Sequence, residues 1–339
     1  MRASGNARDS GFALLVTLLL ITVLGVVVVE FYYESRIGLH LSENIYRGAQ
    51  ARHCAEGGLA VALEILNQAQ RLWEDEKVWA LVSGAVPLKI GQGSCTLQIE
   101  QESGKININQ LRTRAGQLAR DRIGHLLRMI DIYNARALDS DRPIINYGLV
   151  AAIVDWVDED DDITVLSAVS GENRGAEGGY YTQLDDPYEC RNGPFEALSE
   201  LLLVKGMTEE ILYGAWDEET GVHLSGLASS LTVYGSNQIN LNYASPLVIQ
   251  SLSEYCSAVL ADSIVANRPY ARVEHVKKVE GMTEQVYQDL RRSVTTTSRE
   301  QVFRISATGT IGAASRSVRM VVKRNRQTGY LEPIMRWEL

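Results

Sequence analysis

Residues 12–29, FALLVTLLLITVLGVVVV, follow directly on a polar leader that closes at Gly11, and they carry no charge. A helix needs about 20 apolar residues to cross the hydrocarbon core of a bilayer, so this run is just long enough to span one. A secretory signal has a shorter apolar core with a small-residue cleavage site on its far side. Here the far side reads Glu30-Phe31-Tyr32-Tyr33-Glu34, without an A-x-A pattern, so the run is expected to stay in the mature protein. The leader sets Arg2 and Arg8 against Asp9, a positive balance that agrees with a cytoplasmic N-terminus.

Past the span the helical period continues. From residue 33 to about 66, Ile37, Leu41, Ile45 and Ala49, then Leu59, Leu63 and Leu66, recur at steps of three and four, one stripe of an amphipathic helix. After Gly91 and Gly93 the period becomes two: Cys95, Leu97 and Ile99 alternate with Thr96, Gln98 and Glu100, a half-buried strand. Near the C-terminus Phe303, Ile305 and Ala307, then Val318, Met320 and Val322, alternate in the same way around turn residues at 309–315. Antiparallel strands on both sides of a helical region predict one sheet interrupted by an insertion.

The interrupting region, about 110–297, reads as mostly helical. Leu118, Ile123, Leu126, Leu127 and Ile130 mark one helix, and Leu149, Ile153, Trp156 and Val157 another. Pro194 before Phe195 suits the first turn of a third, and Pro246 after Ser245 a capped fourth. Within it an imperfect repeat joins 198–213, LSELLLVKGMTEEILY, to 273–287, VEHVKKVEGMTEQVY. Each copy predicts a helix, a Gly at its end, and a Thr capping the next helix. A second echo joins Ile106-Asn-Ile-Asn109 to Ile239-Asn-Leu-Asn242.

Composition sets outer bounds. The 339 residues allow one composite domain or two, and 45% hydrophobic content allows a real core. Net charge is −9, with the leader itself positive by one, so the soluble part is acidic and DNA is a poor partner. A helix-hairpin-helix that grips DNA backbone would carry a second Gly two residues on, where Thr208 and Thr283 stand. Cys54, Cys95, Cys190 and Cys256 show no CxxC and no His spacing, which argues against zinc. One or two disulfides, in any of three complete pairings, and buried thiols all fit the sequence.

The residues with most chemistry are acidic. Asp155-Trp-Val-Asp158-Glu-Asp160-Asp161-Asp162 closes one helix, a glycine-rich loop follows, and Gly175-Ala-Glu177-Gly-Gly-Tyr180-Tyr181 leads to Asp185-Asp186-Pro187. Carboxylates this dense repel one another unless they are solvated or bridged by a cation. Calcium takes six to eight oxygens in flexible geometry, which suits alternate Asp residues with a distant Glu. The candidate ligands are Asp158, Asp160, Asp162, Glu177 and Asp185, and a solvated acidic loop is the alternative. An EF-hand is excluded, because the loop lacks its Gly and closing Glu. No G-x-S-x-G, P-loop, G-x-G-x-x-G after a strand or H-E-x-x-H is present, and the five histidines are scattered, so no enzyme is expected.

The junction of Gly11 and Phe12 resembles the cut site of type IV prepilins, which are cleaved before the membrane helix and methylated on the new N-terminal residue, here Phe12. The fifth mature residue would be Val16, where most pilin-like proteins carry a Glu that pairs with the N-terminal ammonium of the subunit ahead. A large chain lacking that Glu, with I-N-x-N segments, V-x-G-M-T hairpins and a D-W-x-D-x-D loop, resembles the K class of type II secretion minor pseudopilins. The resemblance covers nearly the whole chain, and its specificity lies in the order of the motifs.

The resemblance implies an α+β fold, a pilin-like long N-terminal helix packed on an antiparallel sheet with a large, mostly helical insertion. Its parts would be a leader at 1–11, a transmembrane helix at 12–30, pilin-like helix and first strands at 31–109, the insertion at 110–297 and closing strands at 298–339. It implies a calcium-linked acidic loop and a mechanical role at the tip of the pseudopilus, nucleating assembly for export of folded proteins. Partners would be the I-class and J-class minor pseudopilins, other pseudopilins, prepilin peptidase and the inner-membrane assembly platform, with no nucleic acid. The location would be the inner membrane of a Gram-negative bacterium, single-pass, leader cytoplasmic and C-terminal domain periplasmic. A minor pilin of a type IV pilus or DNA-uptake system shares the N-terminus and is the alternative. A membrane-anchored helix-hairpin-helix DNA-binding protein comes third.

Overall fold

The structure, a computed structural model, describes residues 6–68, 86–113, 115–137, 143–217, 221–298, 300–325 and 327–338. The start of the leader, with Arg2, lies outside the described residues. One helix, α1 (Asn6–Gln68), runs unbroken through the apolar span and the amphipathic stripe. It contains no proline to interrupt its hydrogen bonds. Large apolar side chains from Phe12 to Tyr46 stand exposed along it, whereas Ala51, Cys54, Ala55, Leu59, Ala62 and Leu66 are buried at helical spacing.

The buried face of α1 meets the sheet. Its five strands are β1 (Leu88–Ile90), β2 (Gly93–Gln101), β3 (Val302–Ile311), β4 (Ala314–Arg324) and β5 (Leu331–Glu338), adjacent in that order. β1 and β2 are antiparallel, with Leu88 opposite Cys95. Contact between helix and sheet is made over glycines. A Cβ on Gly309 would run into the Ala51 carbonyl oxygen, and one on Gly58 into the Cys95 sulfur. This corrects the turn expected at 309–315: Gly309 is a strand residue that lets the helix approach. The reversal is confined to Gly312 and Ala313, Gly312 having φ of 57°.

The chain divides into two compact units, residues 1–98, 306–319 and 337–339 in one, and 99–305 and 320–336 in the other. The second unit includes α2 (Arg120–Ala137) and α3 (Gly148–Val157), whose apolar residues enter one continuous core with Leu201, Leu231, Leu241, Ile249 and Leu290. Leu118 falls outside α2, where it bridges to Arg112.

The sequence repeat is a structural repeat. Ile106–Asn107 pairs in parallel with Leu231–Thr232, and Ile239–Asn240 pairs in parallel with Val294–Thr295. In each copy the first Asn turns the backbone onto the second: Asn107 Oδ1 accepts from the Asn109 amide at 2.9 Å and Asn240 Oδ1 from the Asn242 amide at 3.0 Å. Gly206 and Gly281 take φ of 85° and 84°. Thr208 and Thr283 then cap the helices Glu209–Tyr213 and Glu284–Ser293, each accepting a backbone amide at 3.2 Å. The arm before each glycine, Leu198–Leu203 and Val273–Lys278, is 3₁₀ rather than α-helix. Ser245 caps Pro246–Ser251 as expected.

Pro194 does not open a helix. Both backbone groups of Phe195 are taken by Asn109, whose Oδ1 accepts from the Phe195 amide at 2.7 Å while Nδ2 donates to its carbonyl at 2.9 Å. A peptide so engaged has no groups left for a helical ladder.

Candidate metal centre

The last turn of α3 carries Asp155, Trp156 and Asp158. Trp156 is buried, stacked on Phe195 at 6.2 Å between centroids and edge-on to Tyr181 at 5.2 Å. This aromatic anchor fixes the roll of the helix end, and Asp155 and Asp158 lie one turn apart on it. Asp158 is the C-cap, a poor place for a carboxylate beside the negative end of the helix dipole.

The chain then loops back and returns on itself. Val165 bridges to Arg174, and the Thr164 amide donates to Asp155 Oδ1 at 2.9 Å. The return places Gly175 directly on α3, where a Cβ would collide with Asp155 Oδ2 and lie 2.8 Å from the Ala151 carbonyl oxygen. Two residues on, Glu177 completes the group. Ligand atoms of Asp155, Asp158 and Glu177 all lie within 4.8 Å of one another, and all three residues are buried.

These carboxylates lack the partners that burial normally demands. Asp155 Oδ2, Asp158 Oδ1 and both Glu177 oxygens are buried without a hydrogen bond. Burial first, and the neighbouring Asp155 and Asp158 charges next, push the Glu177 carboxyl up to about 8. Burial also raises Asp158 to about 7, with Arg112 pulling it down and Asp160 and Asp155 pushing it up. Asp155 is raised, chiefly by burial. Three convergent all-oxygen ligands with idle lone pairs fit a hard divalent cation such as calcium. An open cleft of about 700 Å³, lined in part by Asp161, Glu172, Glu177 and Lys205, gives a path to Glu177.

Of the expected ligands, Asp158 and Glu177 are brought together. Asp160, Asp162 and Asp185 are exposed: Asp160 Oδ2 is 3.2 Å from Arg112 Nη1, and Asp160 Oδ1 accepts the Asp162 amide at 3.0 Å. The sequence reading missed Asp155. Its signal was the i, i+3 spacing to Asp158 on a helix whose Trp156 faces inward. It also missed Arg112, 46 positions before Asp158, whose guanidinium forms an ion pair with that carboxylate. All four cysteines are free thiols, with Cys54, Cys95 and Cys256 buried. At the other end, Gly11, Phe12 and Val16 lie on α1, which among the described residues is the one helix long and apolar enough to cross a membrane.

A long N-terminal helix on an antiparallel meander, interrupted between its second and third strands by a mostly helical region, defines a pilin-like fold carrying an insertion. That fold matches a chain in the crystal structure of the GspK-GspI-GspJ complex from the enterotoxigenic Escherichia coli type 2 secretion system. The TM-score is 0.55 at 17% identity, over 90% of this chain and 99% of the other. Residues 104–214, most of them in the helical region, match the family described as type II secretion system (T2SS), protein K. The type II secretion system protein K of Pseudomonas aeruginosa is 27% identical over 207 residues, covering 58% of this chain and 57% of that protein. The resemblance read from the sequence is borne out.

Proposed function

We propose that the protein is a minor pseudopilin at the tip of a type II secretion pseudopilus, where it starts assembly together with I-class and J-class partners and so serves export of folded proteins. The observation that carries this reading is the pilin-like helix and sheet with a protein K family match set between its strands. Complex formation of GspK with GspI and GspJ in the structural neighbour supports the choice of partners. The role is mechanical, with no enzymatic step. Prepilin peptidase cuts between Gly11 and Phe12, Phe12 is methylated, and the span is held in the inner membrane with the C-terminal domain periplasmic, docked to the assembly platform.

Val16 supports the tip position. A filament subunit buries its N-terminal ammonium, which needs a carboxylate partner. Val16 supplies none at the fifth mature position. Crosslinking or gold labelling should find about one copy at a pseudopilus end and none along the shaft. Regular labelling of the shaft would defeat the reading.

The carboxylate centre is assigned calcium, held by Asp155, Asp158 and Glu177. Bound there, the ion supplies positive charge to buried acids and ties the 158–177 loop to α3. Adding calcium to chelated protein should raise the melting temperature, as for any ligand of the folded state alone. Glu177→Ala should abolish the rise, and an unchanged melt in wild type would reject the assignment.

A further inference from the structure

We propose that Arg112 is the resident counter-cation of the carboxylate centre: it holds Asp158 when no divalent ion is bound, competes with that ion, and thereby sets the calcium concentration at which the centre fills. This rests on the calcium assignment above.

The geometry is that of an exchange site. The Arg112 guanidinium forms an ion pair with Asp158, whose side chain is 2% exposed, and reaches Asp160, whose side chain is 48% exposed, at 3.2 Å. One cation thus straddles a buried carboxylate and a solvated one. An ion that takes Asp158 displaces the guanidinium onto a partner it already touches, so release leaves no buried charge unpaired. The penalty that normally accompanies breaking a buried ion pair is avoided.

Arg112 is also placed rigidly. Its Nη1 donates to the Gly116 carbonyl at 3.0 Å, its backbone bridges to Leu118, and the Ala119 amide donates to Leu111 at 2.8 Å. The guanidinium is therefore carried on a closed loop rather than a free side chain. Lys205, which lines the cleft beside Glu177, is paired with Glu172 at 3.3 Å.

Two opposing consequences follow from one charge. Without calcium, Arg112 offsets the repulsion among the acids and stabilises the fold. With calcium, the same charge repels the incoming ion and occupies an Asp158 oxygen, so it weakens binding. Removing it should destabilise the chelated protein and tighten calcium binding together, a combination that a merely structural residue would not produce.

The test uses the full chain in detergent micelles, with melting temperature and Trp fluorescence followed against free calcium in wild type, Arg112→Gln and Arg112→Lys. Arg112→Gln should melt lower in chelator, reach the wild-type melting temperature at saturating calcium, and reach half-effect at roughly tenfold less calcium, as expected for loss of one nearby like charge. Arg112→Lys, which keeps the charge without the planar fork, should shift in the same direction by less. If Arg112→Gln fails to fold, the direction of the Arg112→Lys shift decides. A wild type that responds to calcium while the variants need as much calcium or more overturns the competition and leaves the calcium assignment standing. A wild type blind to calcium overturns the assignment, and the competition with it.

Discussion

Asn109 clasps Phe195 by both sides of its backbone, accepting from its amide at 2.7 Å and donating to its carbonyl at 2.9 Å, across 86 residues of chain. Asn242 repeats the clasp on Tyr270 at 2.7 and 3.0 Å. Each Asn adds a bond to a further carbonyl, Val233 at 3.0 Å and Thr296 at 3.4 Å. Each aromatic is buried and follows a proline, Pro194 or Pro269. The I-N-x-N segments are thus the closures of two copies of one unit.

Truncating either Asn strands backbone groups inside the protein. Asn109→Ala and Asn242→Ala should each cost about 2–4 kcal/mol, since several buried groups lose their partner at once. Urea unfolding of the two variants against wild type measures the loss.

Gly175 admits the Asp155 carboxylate to the centre. Because a Cβ there would collide with Asp155 Oδ2 and crowd the Ala151 carbonyl, Gly175→Ala should lower stability by about 1–3 kcal/mol through overpacking. It should also blunt the calcium response, as read by melting in chelator and in calcium.

The centre makes stability depend on pH in a direction that calcium opposes. Asp158 and Glu177 are raised to about 7 and about 8, above their ordinary carboxylate values, so the chelated fold holds more protons than the unfolded chain in this window. Their contribution is full below the ordinary values and is lost as pH rises through 7 to 8. Chelated protein should therefore melt lower at pH 8 than at pH 6, and the gain on adding calcium should be larger at pH 8. Glu177→Gln should flatten the chelated slope.

His125 works in the opposite sense. It is buried in α2, with Ser293 Oγ 3.5 Å from Nε2, and burial, reinforced by Arg128, lowers its pKa to about 4 from the ordinary 6.5. Between these values the unfolded chain takes up the proton and the fold does not. The fold is unaffected above pH 6.5 and loses about 3 kcal/mol as pH falls to 4. Comparing the acid limb of wild type with that of His125→Gln isolates the contribution, and a His125 imidazole titrating near 6.5 by NMR would contradict it.

Processing should remove residues 1–11 and leave Phe12 at the N-terminus. Intact-mass measurement in cells with active prepilin peptidase should show that loss with or without one methyl group, and a bulky residue in place of Gly11 should block the cut.

Local physics made much of this legible. An apolar run without charge, a stripe at steps of three and four, and alternation around Cys95 and Phe303 each state their element directly, because side-chain period and hydrogen-bond period coincide in helices and strands. The Thr208 and Thr283 caps were readable for the same reason: a cap is satisfied within three residues. Where sequence reading missed, a distant partner had outcompeted the local preference. Gly309 reads as a turn residue, yet it is a strand position opposite Ala51. Pro194 reads as a helix start, yet Asn109 has claimed the backbone of Phe195.

The membrane-length helix, the interrupted sheet, the repeat and the acidic segments are written in neighbouring residues. Which acids share a centre is settled by packing in three dimensions. Asp160, Asp162 and Asp185 look equal to Asp158 on paper but stay in water, while Asp155, Asp158 and Glu177 converge because Trp156 sets the roll of α3 and Gly175 lets the returning loop reach it. Arg112 was invisible for the same reason. A counter-charge is chosen by distance in space, and the spacing that brings Arg112 to Asp158 exists only after Leu111 and Trp156 have entered one core.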